Sequence, residues 1–456
     1  MKLHFTQELR GTAQLPSSKS ISNRALFINA VQEKPCLIEG LAQCDDTEAM
    51  MRVVRGETAH DVDAPTSAQT SRSTRKRKAN AAEGMASLFG DSIDTIKEDK
   101  TVASAKRIDV GAAGTAMRFG AALLSLREGK QFLLSGSDRM HQRPIGILVN
   151  ALRSLGADIS YHGKEGFPPL LIKGKKLTGT TIELTADVSS QYVSALLMIG
   201  PLLPQGLQLK LHGEILSRPY INLTLGVMRQ FGAHATWVGE NTLYVHAGGY
   251  QREQPFYVEK DWTAASYWYE MVALSDDVDA RVVLPGLTRE SLQGDSRVVE
   301  FFNSLGVHTS FVDGGAVLTK QALPAGSFIH LNLSEQPDLA QTLVVTCAMK
   351  GIPFHFEGLQ SLRIKETDRL SALQTELAKL GVRVQVRLDS EMLWDGHVDA
   401  VSIDNMAIDT YEDHRMAMAF APCAMKFSGL RINHPEVVSK SYPSFWTMLQ
   451  PFLKQD

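Results

Sequence analysis

The sequence predicts an α/β protein built from six βαβαββ-like units in two pseudo-threefold domains, with apolar helices on the inside. Three observations carry that expectation: a glycine that recurs after amphipathic helical patterns, a second set of almost wholly apolar helices, and short alternating runs between them. The 456-residue length agrees, because a single ordinary core rarely organises so long a chain.

The glycines come first. SLGADIS at Gly156, QFGAHAT at Gly232, SLGVHTS at Gly306 and KLGVRVQ at Gly381 each end a helical pattern and open a strand-like one. A left-handed residue is needed where a helix stops in this way, and glycine takes that conformation without a steric penalty. Their spacing is roughly 75 residues, the length of one unit. Counting back, the matching EAMMRVVRG ends at Gly56, so the first unit is lengthened by roughly 24 residues. The excess falls in residues 57–104, which lack period and core formers and read as a mobile insertion. Its run Arg75–Lys78 has no interleaved aromatics and reads as a solvated loop rather than a nucleic-acid patch.

The second helix set begins at Ser20, Ala113, Ser189, Trp262, Pro337 and Asp413. Beyond the first turn five of the six stretches are almost entirely apolar, so the helices should be buried with their N-termini near solvent. TIELTA, LQLKLHG, TLYVHAG, ARVVLPG and FIHLNLS alternate as strands do.

Composition narrows the function. Lys plus Arg total 47 against 50 for Asp plus Glu, so there is no global attraction to nucleic acid or anionic membrane, and any anion site must be local. No apolar run is long enough to span a bilayer and no export signal is recognisable, which leads to the expectation of a cytoplasmic protein. Cys36, Cys44, Cys347 and Cys423 have no metal-site spacing and read as reduced thiols.

The polar residues cluster where the apolar helices begin. A helix N-terminus presents unpaired N–H groups and a partial positive charge, which suits phosphate or carboxylate. LPSSKSISNR places Lys19, Ser20 and Arg24 at one start, and VGAAGTAMR places Gly114, Thr115 and Arg118 at another. The second fits neither the P-loop nor the dinucleotide glycine pattern. DRMHQRPIG adds Arg139 and Arg143; DVSSQY adds Ser189, Ser190 and Gln191; SRPY adds Ser217, Arg218 and Tyr220. PDLAQ heads an apolar helix with Asp338, and LRIKETDRL packs Arg363, Lys365, Glu366, Asp368 and Arg369 into seven residues. YEDHRMAMAF sets Asp413, His414 and Arg415 at the mouth of a Met/Ala helix, and VVSKSYP supplies Lys440. Singly, most of these read as caps or solvated turns; together they describe a cleft for a polyanion.

Taken in order, SKSxSNR, AGTAMR, RPIG, SSQ, SRPY, QGD, PD, KETDR, DHRMAM and SKSYP resemble the 5-enolpyruvylshikimate-3-phosphate synthase family from about Leu15 to Phe445. The resemblance implies a two-domain inside-out α/β barrel whose active site lies between lobes that close on substrate. Residues 1–18 with 260–456 would form one domain and residues 19–259 the other. Shikimate 3-phosphate would be held by Lys19, Ser20, Arg24, Ser189, Ser190, Gln191, Ser217, Tyr220, Asp338 and Lys365. Phosphoenolpyruvate would be held by Lys19, Gly114, Arg143, Gln191, Arg369, Arg415 and Lys440. Asp338 is implied as base and Glu366 as acid, with Lys19 assisting, no metal or cofactor, and a single chain as the working unit.

Four positions depart from the family's usual residues: Ala112 and Ser361 stand in place of asparagines, Phe119 in place of proline, and Trp262 in place of a small residue. The sister family that acts on a UDP-sugar uses a loop cysteine, absent from DRMHQRPIG, and lacks KETDR. The rival from another class is a silent anion-binding protein, against which the retention of Lys19, Asp338, Glu366 and Lys440 counts.

Overall fold

The computed structural model describes residues 1–56, 104–185, 189–213, 215–324, 326–402 and 406–454. Apart from Ser104, the expected insertion at 57–104 lies outside the described residues.

Four sheets share one plan. In the first, Lys106–Asp109 pairs in parallel with Gln131–Ser135, which runs antiparallel to Leu170–Lys173, and Asp158–Tyr161 completes the order. The same plan recurs with Thr181–Thr185 paired to Leu207–His212, with Arg10–Thr12 paired to Arg281–Pro285, and with Ile329–Asn332 paired to Phe354–Glu357. Among the described residues the first and last units are reduced to two parallel strands each, Phe256–Tyr257 with Ile38–Glu39 and Ala407–Ile408 with Arg431–Ile432. The six expected units are therefore four full copies and two shortened ones.

The punctuating glycines take the backbone they were expected to need. Gly56, Gly156, Gly232, Gly306 and Gly381 all have φ between 63° and 101°. At Gly232 a side chain would also collide, since a Cβ there would lie 2.8 Å from the Gln251 carbonyl.

The apolar helices form at Lys19–Asn29, Gly114–Ser125, Ser190–Ile199, Trp262–Leu274, Ala340–Lys350 and His414–Phe420. Buried apolar side chains fall into two large clusters. One draws on residues from Ile21 to Phe256; the other combines Leu3, Phe5, Leu9, Ala13 and Leu15 with residues from Trp262 to Phe452. Each fully buried Leu or Phe contributes about 1.5–3 kcal/mol, so the N-terminal residues are anchored firmly to the second cluster. The chain crosses between clusters twice, side by side, where Ser17 bridges Lys260 and the Ser18 amide donates to the Glu259 carbonyl at 2.7 Å. All four cysteines are free, and only Cys36 is not fully buried. Among the described residues no helix is long and apolar enough to cross a membrane.

Candidate active site

Five of the six apolar helices bring residues at their N-termini to a shared cleft, all but the one at Trp262, and local capping makes the helix ends. Ser189 accepts from the Gln191 amide at 3.3 Å, Asp261 from Ala264 at 2.8 Å, and Asp413 from Arg415 at 2.9 Å. At Ser217 a left-handed backbone, φ 56°, turns the chain into the Arg218–Gln230 helix while the Ser217 amide donates to Ser334 of the facing cluster at 3.0 Å.

The cleft is lined by Lys19, Ser20, Arg24, Gly114, Arg143, Ser189, Ser190, Gln191, Ser217, Tyr220, Asp338, Lys365, Glu366, Arg369 and Arg415. Every residue the sequence singled out for substrate or chemistry is there except Lys440, which reaches the cleft by bonding Glu366 Oε1 at 2.9 Å and the Ala112 carbonyl at 3.0 Å. The Asp46, Thr115 and His414 side chains also line the cleft, without having been assigned a role from sequence.

One wall comes from residues 19–259, and its arginines meet neutral groups. Arg24 donates to Thr224 Oγ1 at 2.7 Å, the Ser20 carbonyl at 2.8 Å and Ser194 Oγ at 3.1 Å, and its guanidinium lies 5.4 Å from the Phe119 ring centre. Burial lowers its pKa to about 10, and burial together with neighbouring Arg143 does the same to Arg118. Arg143 packs against the backbone of Gly114, where a Cβ would come within 2.7 Å of Nη1. Lys19 differs, because its ammonium is 2.9 Å from Asp46. Burial opposes its charge, but Asp46 outweighs that and holds Lys19 above its usual range.

The other wall pairs charge with charge. Asp338 Oδ1 accepts from Arg369 at 3.2 Å and Lys365 at 3.5 Å, and its Oδ2 accepts from Arg415 at 2.9 Å and the Tyr220 hydroxyl at 3.2 Å. Burial favours its neutral form, yet Arg415, Lys365 and Arg369 prevail and hold the carboxyl well below its usual range. Glu366 is likewise depressed: burial is overcome by Lys440, Arg369, 2.8 Å away, and Arg143. Arg369, 1% exposed, also bonds Asp413 at 2.7 Å. Burial lowers the pKa of Lys365.

Two further buried groups carry signals that sequence reasoning did not convert into roles. His414 has no hydrogen-bond partner on either ring nitrogen, and burial, with Lys19 and Arg415 nearby, pushes its pKa well below the usual value. Asp295 of the QGD motif bonds the Tyr220 hydroxyl at 3.3 Å and the Thr263 hydroxyl, and burial beside Asp338 raises it to about 7. Asp46 is the second residue in the acidic first turn of a helix, DDTE, a pattern that reads equally well as ordinary capping. Arg139 reaches across the cleft to the Glu366 carbonyl at 3.2 Å and the Lys365 carbonyl at 3.4 Å.

The departures from the family pattern have distinct surroundings. Ala112 offers its carbonyl to Lys440, Phe119 lies under Arg24, Trp262 is buried in the core, and Ser361 has a buried hydroxyl with no partner.

Comparison with known proteins agrees over the whole cleft-forming chain. The family model for EPSP synthase (3-phosphoshikimate 1-carboxyvinyltransferase) matches residues 3–449. A 3-phosphoshikimate 1-carboxyvinyltransferase of Bacteroides fragilis is 47% identical over 449 residues, covering 98% of this chain and 96% of its own. One from Shewanella piezotolerans is 34% identical over 454 residues, covering 98% of each. The solved EPSP synthase of Acinetobacter baumannii superposes with a TM-score of 0.70 at 20% identity, over 99% of this chain and 98% of that one, an agreement of fold. With a full-length family match and close relatives over nearly every residue, the chain belongs to the EPSP synthase (3-phosphoshikimate 1-carboxyvinyltransferase) family.

Proposed function

We propose that this chain transfers the enolpyruvyl group of phosphoenolpyruvate to the 5-hydroxyl of shikimate 3-phosphate and releases phosphate. The observation that carries the reading is the gathering of Asp338, Glu366 and the cations Lys19, Arg143, Arg369, Arg415 and Lys440 around one cleft. In this reading Lys19, Ser20, Arg24, Ser189, Ser190, Gln191, Ser217 and Tyr220 of the first wall hold shikimate 3-phosphate with Asp338 and Lys365. Phosphoenolpyruvate lies among Lys19, Gly114, Arg143, Gln191, Arg369, Arg415 and Lys440.

The 5-hydroxyl loses its proton to Asp338 as the new O–C2 bond forms, and Glu366 delivers a proton to C3. The tetrahedral adduct then sheds phosphate as C2–O breaks and C3 gives back a proton, restoring the enol ether. Asp338 is ionised as a base must be, but its three cations weaken it. Anionic substrates that draw off Arg415 and Lys365 would restore its basicity. Glu366 is held ionised by Lys440 and Arg369, so its role as acid requires phosphoenolpyruvate to engage those two cations first. Lys19 assists as a fixed positive charge beside the reacting oxygens.

The same proposal includes two domains, residues 1–18 with 260–456 and residues 19–259, supported by the two separate apolar clusters. Their closure would exclude water. A cytoplasmic setting and a monomeric working unit complete it; one chain contributes every residue invoked.

The test is phosphate release with both substrates. Wild-type turnover is expected, and Asp338→Asn should reduce kcat by about 10²–10⁴-fold. Turnover only with a UDP-sugar acceptor, or substrate binding without turnover, would overturn the assignment.

A further inference from the structure

Away from the cleft, the sheet of Ile329–Asn332, Phe354–Glu357 and Glu391–Trp394 carries an unusual outer face. The strands alternate: Phe354, Phe356, Met392 and Trp394 point into the core, which sends His355, Glu357 and Glu391 outward. His330 is the direct partner of His355 in the parallel register, and their rings stack 4.9 Å apart within 6° of parallel. Glu357 Oε1 lies 3.3 Å from His330 Nε2 and 3.8 Å from His355 Nε2, and Glu391 Oε2 lies 3.0 Å from His355 Nε2. None of these four residues lines the cleft.

We propose that His330, His355 and Glu357 form a surface site for a divalent transition-metal ion, zinc by ligand chemistry, with Glu391 beside it as a hydrogen-bond partner of His355. A tetrahedral zinc with ligands at about 2.0–2.2 Å sets neighbouring ligand atoms roughly 3.3–3.5 Å apart, and Glu357 Oε1 lies 3.3 Å and 3.8 Å from the two imidazole nitrogens, with all three ligand atoms within 4.8 Å of one another. Two neutral imidazoles and one carboxylate leave a fourth position for water, and imidazole favours zinc, nickel or copper over magnesium or calcium. Without an ion, the Glu357 oxygen faces two imidazole nitrogens, and each pair is an ion pair only when its ring is protonated. Two parallel rings must tilt toward each other to converge on one ion. His330 and His355 are 54% and 31% exposed, so the rotation meets solvent rather than packing. Because the ligands come from two paired strands, a bound ion ties Ile329–Asn332 to Phe354–Glu357.

The experiment is titration of the full chain with zinc chloride in a non-chelating buffer, read by calorimetry and by thermal unfolding. One saturable equivalent is expected, with an EDTA-reversible rise in Tm. His330→Ala, His355→Ala and Glu357→Gln should each weaken binding at least about ten-fold and abolish the Tm rise. Phosphate release by the zinc-free variants should match wild type, which establishes that they fold. Glu357→Gln keeps the side-chain shape, so weakened binding there reports on the ligand atom itself. Absence of saturable binding, or binding of wild-type strength in His355→Ala or Glu357→Gln, overturns the site.

Discussion

The two walls of the cleft solve the problem of buried charge in opposite ways. On the wall from residues 19–259, Arg24, Arg118 and Arg143 have no carboxylate within ion-pair distance among the described residues; Arg24 and Arg118 rely on carbonyls, hydroxyls and an aromatic ring, and the Arg143 Nε has no partner. On the facing wall, Arg369, Arg415, Lys365 and Lys440 are tied to Asp338, Glu366 and Asp413. The first wall holds uncompensated positive charge and so has most to gain from an incoming phosphate. The second sets four cations against three carboxylates, so most of its charge is met internally, and it is suited to moving protons. An anion-binding surface and a proton-transfer surface are thus separated by where the carboxylates are placed.

Substitution of paired and unpaired arginines tests that separation most sharply. Arg369→Met leaves buried Asp413 without its cation and removes one partner each from Asp338 and Glu366, and should cost about 3–5 kcal/mol in urea unfolding. Arg143→Met leaves no carboxylate behind. It should change stability by less than about 1 kcal/mol while weakening phosphoenolpyruvate use, read as kcat/KM, at least about ten-fold. Equal stability losses would erase the distinction.

Titration gives the next effect. His414 ionises at 6.5 when unconstrained and well below that when folded, so the unfolded chain binds the extra proton. Its contribution is present above about pH 6.5 and is lost as pH falls, at up to about 1.4 kcal/mol per unit. Asp295, raised from 3.8 to about 7, has the reverse sign: its contribution is full below its unfolded value and is lost as pH rises through 7. Urea unfolding at pH 5, 6 and 7 should therefore show His414→Gln resisting acid better than wild type and Asp295→Asn resisting it less well.

Two smaller effects refine the comparison, one on each wall. In Gly114→Ala the new methyl meets the Arg143 guanidinium, and the KM for phosphoenolpyruvate should rise about ten-fold with the fold intact. Ser361→Asn adds an amide where a buried hydroxyl has no partner. Shikimate 3-phosphate should bind two- to ten-fold tighter, about 0.5–1.5 kcal/mol by calorimetry.

Much of this architecture was legible because its signals are local. A left-handed glycine after a helix, as at Gly381, and an apolar run behind a polar start, as at Asp413, are each contained in a dozen residues. The resemblance then supplied substrate and roles that spacing alone left open. What stayed hidden depends on distant partners. Nothing near Phe256 announces that it pairs with Ile38, and nothing near Lys19 marks Asp46 as its counter-ion. His414 reads as a polar residue at a helix start until its two ring nitrogens prove to be without partners. The surface histidines were passed over because His330 and His355 are 25 positions apart and meet only through parallel strand register.

The strand that begins the chain has a consequence for how the molecule is made. Arg10–Thr12 completes a sheet with Arg281–Pro285, and Leu3, Phe5, Leu9, Ala13 and Leu15 belong to a core whose other members start at Trp262. A ribosome adding about 5–20 residues each second delivers those partners on the order of ten seconds or more after the N-terminus emerges. Until then a short greasy segment has no partner to cover it, an exposed handle for chaperones and a place where premature aggregation would begin.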